Sequence, residues 1–307
     1  MNAKTKGIWY GIIACITWAT IWPLSKLINN NYELSPFYFA ALRFLSAGLA
    51  VWVFLAVKKD KAFWATLKNH WGLALILGFF GMFGMGSLVF LSIKHTTIVN
   101  SALLMNANAV FIICFSFFIG EKINAVKLVA VSTGLLGCYL IINNGFVFNL
   151  MSSETIKGDL LAVGAAICWA AYTVIGRAKV KNVDSTHLSS LNFIFGSLMI
   201  FGLIFFMKTP VEQAFSPLPL LGILYIGLIP TAYGFTIWFY ALEHVEASVL
   251  GLFQFIVPLL SAIFGVFFFN EKFTIYTFIG MVLILIGVGI ASRTTKASTN
   301  DKLQSTI

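Results

Sequence analysis

Three amides, six aromatic side chains and two cations are the groups in this chain placed to do chemistry. They are Asn106, Asn108 and Gln254; Trp18, Trp22, Trp169, Tyr172, Tyr233 and Trp238; and Lys26 and Arg177. The chemistry open to them is non-covalent recognition. A ring offers an apolar face, and tyrosine and tryptophan add a polar tip. An amide in apolar surroundings needs a partner, either a neighbouring helix or a bound solute. Trp18 and Trp169 are 151 residues apart, as are Lys26 and Arg177. The two cations could take a carboxylate at the two ends of a path, or could reach lipid headgroups along their apolar stems. Packing and interhelical hydrogen bonding compete with recognition at every one of these positions.

Missing groups narrow the chemistry further. The acidic residues Glu33, Asp60, Glu121, Glu154, Asp159, Asp184, Glu212, Glu243, Glu246, Glu271 and Asp301 all fall in loops or at the ends of apolar runs. There is no carboxylate pair, no histidine cluster and no nucleophile with a base at usable spacing, which argues against an enzyme. The four cysteines (Cys15, Cys114, Cys138 and Cys168) lie inside apolar runs without metal spacing, so no metal or cofactor is expected. Proton pumps use carboxylates at mid-membrane depth. Their absence favours facilitated or exchange movement of a solute. Arg43 is the charge inside an apolar run, and three roles are open to it: snorkelling, pairing with Glu33, or ordering its half of the helix.

The elements that must position these groups are membrane helices. Of 307 residues, 59% are hydrophobic and 10% charged, against about 25% charged in a soluble domain. Crossing the hydrocarbon takes about 20 apolar residues. Ten runs qualify: 7–28, 36–57, 71–93, 97–118, 125–142, 158–177, 186–207, 218–241, 247–269 and 275–292. The first run is too long for a signal peptide and lacks a cleavage site. Gly120-Glu121-Lys122 ends the fourth run, and Asn270-Glu271-Lys272 ends the ninth, 150 residues later. Ile16-Thr17-Trp18-Ala19 recurs as Ile167-Cys168-Trp169-Ala170. Five spans per repeat is odd, so the second copy enters from the opposite side. The fold class is an all-α polytopic membrane protein with ten transmembrane helices in two inverted five-helix repeats. The repeats cover 7–142 and 158–292, with an external linker at 143–157 and a disordered cytoplasmic tail at 293–307. Such repeats build many secondary transporters, with the solute site near the midplane between the copies.

Lys and Arg set the orientation. With the N-terminus in the cytoplasm, fourteen fall inside and five outside. That places the protein in the cell (inner) membrane with both termini cytoplasmic. One inside loop, Glu243-His244-Val245-Glu246, departs from the rule by carrying no Lys or Arg. Glu121 and Glu271 precede the fifth and tenth spans, where a carboxylate stabilises the positive helix end. Gly81, Gly84, Gly86, Gly280 and Gly287 read as close-packing sites. Pro23 and Pro230 are expected to kink the first and eighth spans.

These residues resemble a known family. Trp18-Ala-Thr-Ile-Trp22-Pro23-Leu-Ser-Lys26, then Pro36 and Leu42-Arg43-Phe44, are similar to the start of an EamA domain, the ten-helix branch of the drug/metabolite transporter superfamily. Trp169-Ala-Ala-Tyr172 through Arg177, then Leu191-Asn192-Phe193, look like its second copy. Pro258 matches the family's proline thirteen residues before the glutamate, whereas the first repeat carries Asn108 there. The resemblance implies a carrier of small metabolites, with a cavity enclosed by the first, third, fourth, sixth, eighth and ninth helices. It is similar to exporters of amino acids, including aromatic ones. The expected function is export of amino acids or related amphiphiles by alternating access. Uptake of a larger metabolite such as a nucleoside derivative, or a non-transporting accessory subunit, are the alternatives. The expected partners are a small-molecule substrate and the lipid bilayer, with no nucleic acid. A homodimer stays open.

Overall fold

A computed structural model describes residues 3–32, 35–96, 98–143, 156–180, 183–208, 217–269 and 273–304. The ten spans are α1 (Ala3–Ala19 and Ile21–Asn31), α2 (Pro36–Val57), α3 (Ala62–Leu77, Gly78–Gly84 and Met85–Ile93), α4 (Ile98–Asn106 and Asn108–Phe117) and α5 (Ala125–Asn143); then α6 (Ile156–Lys179), α7 (Ser185–Met207), α8 (Pro217–Ile226, Gly227–Tyr233 and Gly234–His244), α9 (Ala247–Phe253 and Ile256–Phe269) and α10 (Ile275–Gln304). Among the described residues, eight helices are long and apolar enough to cross a membrane, and the shorter apolar helices Leu104–Phe117 and Ile275–Ile290 serve α4 and α10. The end of the bundle where α1 starts and α10 finishes is termed here the terminal face, and the other the far face.

Two boundaries differ from the sequence expectation. Helix α3 starts at Ala62, not 71, because the Asp60 carboxylate accepts from the Ala62 amide (2.9 Å) and begins the helix before the apolar run does. Helix α10 continues to Gln304, where the polar tail is expected to be disordered. An established helix extends at one hydrogen bond per residue, so polar composition alone does not stop it. The 143–157 linker lies largely outside the described residues.

The repeats exchange partners. Helix α1 packs on α8 and α9 of the other repeat, and α6 on α3 and α4; α2 packs on α7, and α5 on α10. Glycines allow the closest approaches. A Cβ on Gly137 would stand 2.6 Å from the Gly280 carbonyl, and one on Gly280 the same distance from the Gly137 carbonyl. The α5 and α10 backbones therefore touch, as small residues allow between membrane helices.

Irregular turns recur in both repeats. A π-helical turn occupies Gly78–Gly84 in α3 and Gly227–Tyr233 in α8. Gly78 faces the backbone of Asn192, with its virtual Cβ 2.8 Å from that carbonyl, and Gly227 faces Arg43, at 3.0 Å. Pro230 removes one donor from the α8 ladder, and the Thr231 hydroxyl bonds the Ile226 carbonyl (2.7 Å). Helices α4 and α9 each break halfway. In α9, Pro258 cannot donate to Gln254, whose carbonyl accepts instead from Val257 (3.0 Å). In α4 no proline is present. There the Asn108 amide donates to the Met105 carbonyl (2.7 Å) and Asn106 to Ala102 (2.8 Å), drawing those carbonyls away from the regular ladder. Different residues thus produce the same break. Helix α1 breaks at Thr20, since Pro23 leaves the Ala19 carbonyl without its i+4 donor.

Candidate functional site

Mid-bundle, the repeat-related tryptophans meet. Trp18 and Trp169 lie edge to face with centroids 5.5 Å apart. Trp18 also touches Phe235 and Trp238, each at 5.0 Å. Trp169 leans on Tyr172 at 5.1 Å. Phe235 is the hub, touching Trp18, Trp169, Tyr172, Phe44 and Phe193. Edge-to-face pairs contribute about 0.5–1.5 kcal/mol beyond burial, so the rings define one arrangement of five helices, α1, α2, α6, α7 and α8.

Polar tips are oriented within this cluster. The Trp18 indole donates to the Pro230 carbonyl (2.9 Å), a group turned inward by the π turn. The Trp169 indole donates to the Gln254 side-chain oxygen (2.8 Å) at the α9 break. Several buried polar atoms in this region lack a hydrogen-bond partner: Gln254 Nε2, Asn108 Oδ1, Trp238 Nε1, the Tyr172 hydroxyl and both side-chain polar atoms of Asn192. Tyr172 and Asn192 are neighbours, but their approach does not make a well-formed hydrogen bond. Unmade bonds in a buried place cost about 1–3 kcal/mol each, and they are available to a solute that brings complementary groups.

Other sequence candidates fall elsewhere. Tyr233 is 49% exposed and stands outside the cluster, because the π turn sets Pro230, Thr231 and Ala232 inward and leaves Tyr233 on the outer side. Asn106 and Asn108 each donate their side-chain N–H to their own helix, and only Asn108 is buried, with its Oδ1 left without a partner. The side chains of Trp22 and Lys26 lie outside the described residues.

A second cluster closes the terminal face, and it corrects the reading of Glu121. The Glu121 carboxylate does not serve α5. It accepts from the amides of Ala247 (2.7 Å) and Ser248 (3.0 Å) and from the Ser248 hydroxyl (2.5 Å), capping α9 of the other repeat. The first turn of α5 is closed by Asn124, which accepts from the Lys127 amide (2.9 Å). Arg177 is no open-mouth cation. Its Nε lies 3.8 Å from Glu121 and its Nη1 donates to the Leu242 carbonyl. Lys127, buried, donates to Glu246 (2.7 Å) and Ser248 (2.7 Å). The loop that lacks Lys and Arg is thus supplied with cations by α5 and α6. Its Glu243 accepts from Ser185 at the start of α7. Beside this cluster, His187 bonds Asp60 (3.0 Å) and Thr66 (3.0 Å), tying the α2–α3 turn to α7. These hydrogen bonds, His187 first and the Ala62 amide next, hold the Asp60 carboxyl below its usual range.

Sequence reasoning missed Phe235, Asn192, Lys127 and Ser248. Asn192 was within reach, as the counterpart of Arg43 in Leu42-Arg43-Phe44 and Leu191-Asn192-Phe193. Phe235 was not. Its counterpart 149 residues earlier is Gly86, and two bulky rings cannot share one axis position.

Comparison with known proteins agrees with this architecture. The profile of the EamA-like transporter family matches residues 5–143 and again 156–293. An uncharacterized transporter of Archaeoglobus fulgidus is 30% identical over 292 residues, covering 94% of this chain and 97% of the relative. The uncharacterized transporter YyaM of Bacillus subtilis is 27% identical, covering 84% of this chain and 85% of the relative. A solved crystal structure superposes with a TM-score of 0.83 at 20% identity, over 95% of this chain and 98% of the other, and shows the shared fold. With both repeats matched and apolar helices throughout, the chain belongs to the EamA-like transporter family and is a multi-pass membrane transporter.

Proposed function

We propose that this transporter exports amino acids or related small amphiphiles from the cytoplasm by alternating access, with the terminal face cytoplasmic. The observation that carries the solute class is the Trp18–Trp169 pair with the Gln254 amide beside it: ring faces for an apolar side chain and amide atoms for a polar end. Support for the cytoplasmic assignment is the excess of Lys and Arg on that side. Support for export is the resemblance to amino-acid exporters. In this reading the terminal-face cluster is the inner gate. It parts when α5, α6 and α9 separate, and the mid-bundle rings then face the cytoplasm.

The test compares amino acids inside and outside cells that lack or overproduce the protein. Overproduction should raise extracellular levels of one or a few amphiphilic amino acids. Trp169→Phe, which strands the Gln254 oxygen, should reduce that export about tenfold, the scale of one buried hydrogen bond. Unchanged metabolites in wild-type overproducers would refute the substrate class, and accumulation inside the cells would reverse the direction.

A further inference from the structure

We infer that Arg43 is an anion subsite that takes the carboxylate of the transported solute; this deepens the proposed function and rests on its substrate class. Arg43 is the eighth residue of α2 counted from Pro36, so it lies about 10 Å below the far end of that helix at 1.5 Å per residue. No carboxylate among the described residues pairs with it, Glu33 lying outside them, and its Nε is buried without a hydrogen-bond partner. A cation at that depth is expensive unless water or an anion attends it.

Snorkelling does not account for the side chain. An arginine reaching for headgroups would extend toward Pro36 and the far face. Here the guanidinium carbon sits 4.5 Å from the ring centroid of Phe44, the next residue inward, whose side chain is buried. Phe44 in turn packs against Phe193 and Phe235, and Phe235 against Trp18 and Trp169. The charge is therefore directed to the rim of the ring cluster. The Arg43 backbone is seated on Gly227, the first residue of the π turn that presents the Pro230 carbonyl to Trp18. An amphiphile whose apolar side chain rests on the tryptophans can place a carboxylate toward this guanidinium.

The counterpart in the other repeat sharpens the chemistry. Position 192 is asparagine, also unpartnered and fully buried. Both repeats thus hold an unsatisfied polar group at the same place on α2 and α7, but only one is charged. Of this repeat-related pair, only the member in the far half of the bundle is built to prefer an anion.

The experiment uses the full chain in detergent and follows tryptophan fluorescence, with L-phenylalanine and L-phenylalaninamide as probes. The two share ring and amine and differ in the carboxylate. Wild-type protein should bind the acid about tenfold more tightly than the amide, the scale of one charge-assisted bond. Arg43→Gln should abolish that ratio by weakening binding of the acid, and Arg43→Lys should retain part of it. Equal binding of acid and amide by wild type, a result that needs no folded variant, would overturn the subsite and leave the amphiphile reading standing. So would an acid preference that survives in Arg43→Gln. Failure of wild type to bind either probe would overturn both this subsite and the substrate class beneath it.

Discussion

At the terminal face Lys127 donates to Glu246 and Ser248; at the far face the equivalent positions, 150 residues away, are Thr277, Thr96 and Ile98. Thr277 is near Thr274 within the first turn of its own helix (3.2 Å), and Thr96 donates to Asp159 of α6 (2.5 Å). The two repeats share one frame, yet only one face holds this ion pair between α5 and the entrance of α9. Parting the terminal face strips the buried Lys127 ammonium of its carboxylate, although Glu246 is itself 35% exposed, whereas the far face sets no cation against a carboxylate at these positions. The inequality predicts a resting state closed at the terminal face. It also shows how inverted repeats acquire a direction: the backbone stays symmetric and the side chains at the two ends do not.

The largest expected effect comes from removing the carboxylate at the centre of the cluster. Glu121→Ala takes the cap from α9 and the counter-ion from Arg177 together, and should destabilise the closed terminal face by roughly 3–5 kcal/mol. Thermal unfolding of the purified protein should shift down by several degrees, and thiol reagents should reach a cysteine placed at Ser248. If neither changes, the cap is ornamental and the comparison between faces loses its basis.

The smallest effect is one of pH. The Asp60 carboxyl is held below its ordinary value of 3.8 by His187 and the Ala62 amide. Its pairing therefore adds stability above that value, and the contribution is lost as pH falls through the lowered folded-state value. Asp60→Asn should unfold at a lower temperature than wild type at pH 6, and the two should converge as pH falls below that lowered value. A difference that persists into acid would assign the role of Asp60 to shape and not charge.

The ten spans were legible because lipid imposes long apolar runs, and the inversion because five is odd. The Trp18–Trp169 pair was legible because the same residue recurs at the same place in each repeat. The break in α9 has its cause in Pro258, although kinks were expected only at Pro23 and Pro230. The break in α4 was not legible, because Asn106 and Asn108 act through side-chain bonds that compete with the backbone, and an amide announces no break in advance. The π turns were hidden because their register depends on what packs against them, Asn192 and Arg43 in these two cases. Glu121 reads locally as a partner for α5. Only the fold brings the start of α9, 126 residues on, within its reach.

The most direct measurement exchanges the chemistry of the two faces. Lys127→Thr with Glu246→Thr gives the terminal face the residues found at the far face, and avoids leaving either charge alone. Spin labels at the exposed positions Ile123 and Asp184 report the separation of the α4–α5 turn from the start of α7. Pulsed dipolar spectroscopy in lipid nanodiscs should give one narrow distance distribution for the otherwise wild-type protein. In the double variant a second, longer population should appear, because the terminal face then opens as readily as the other. Identical distributions in the two proteins would contradict the claim that this ion pair sets the resting conformation.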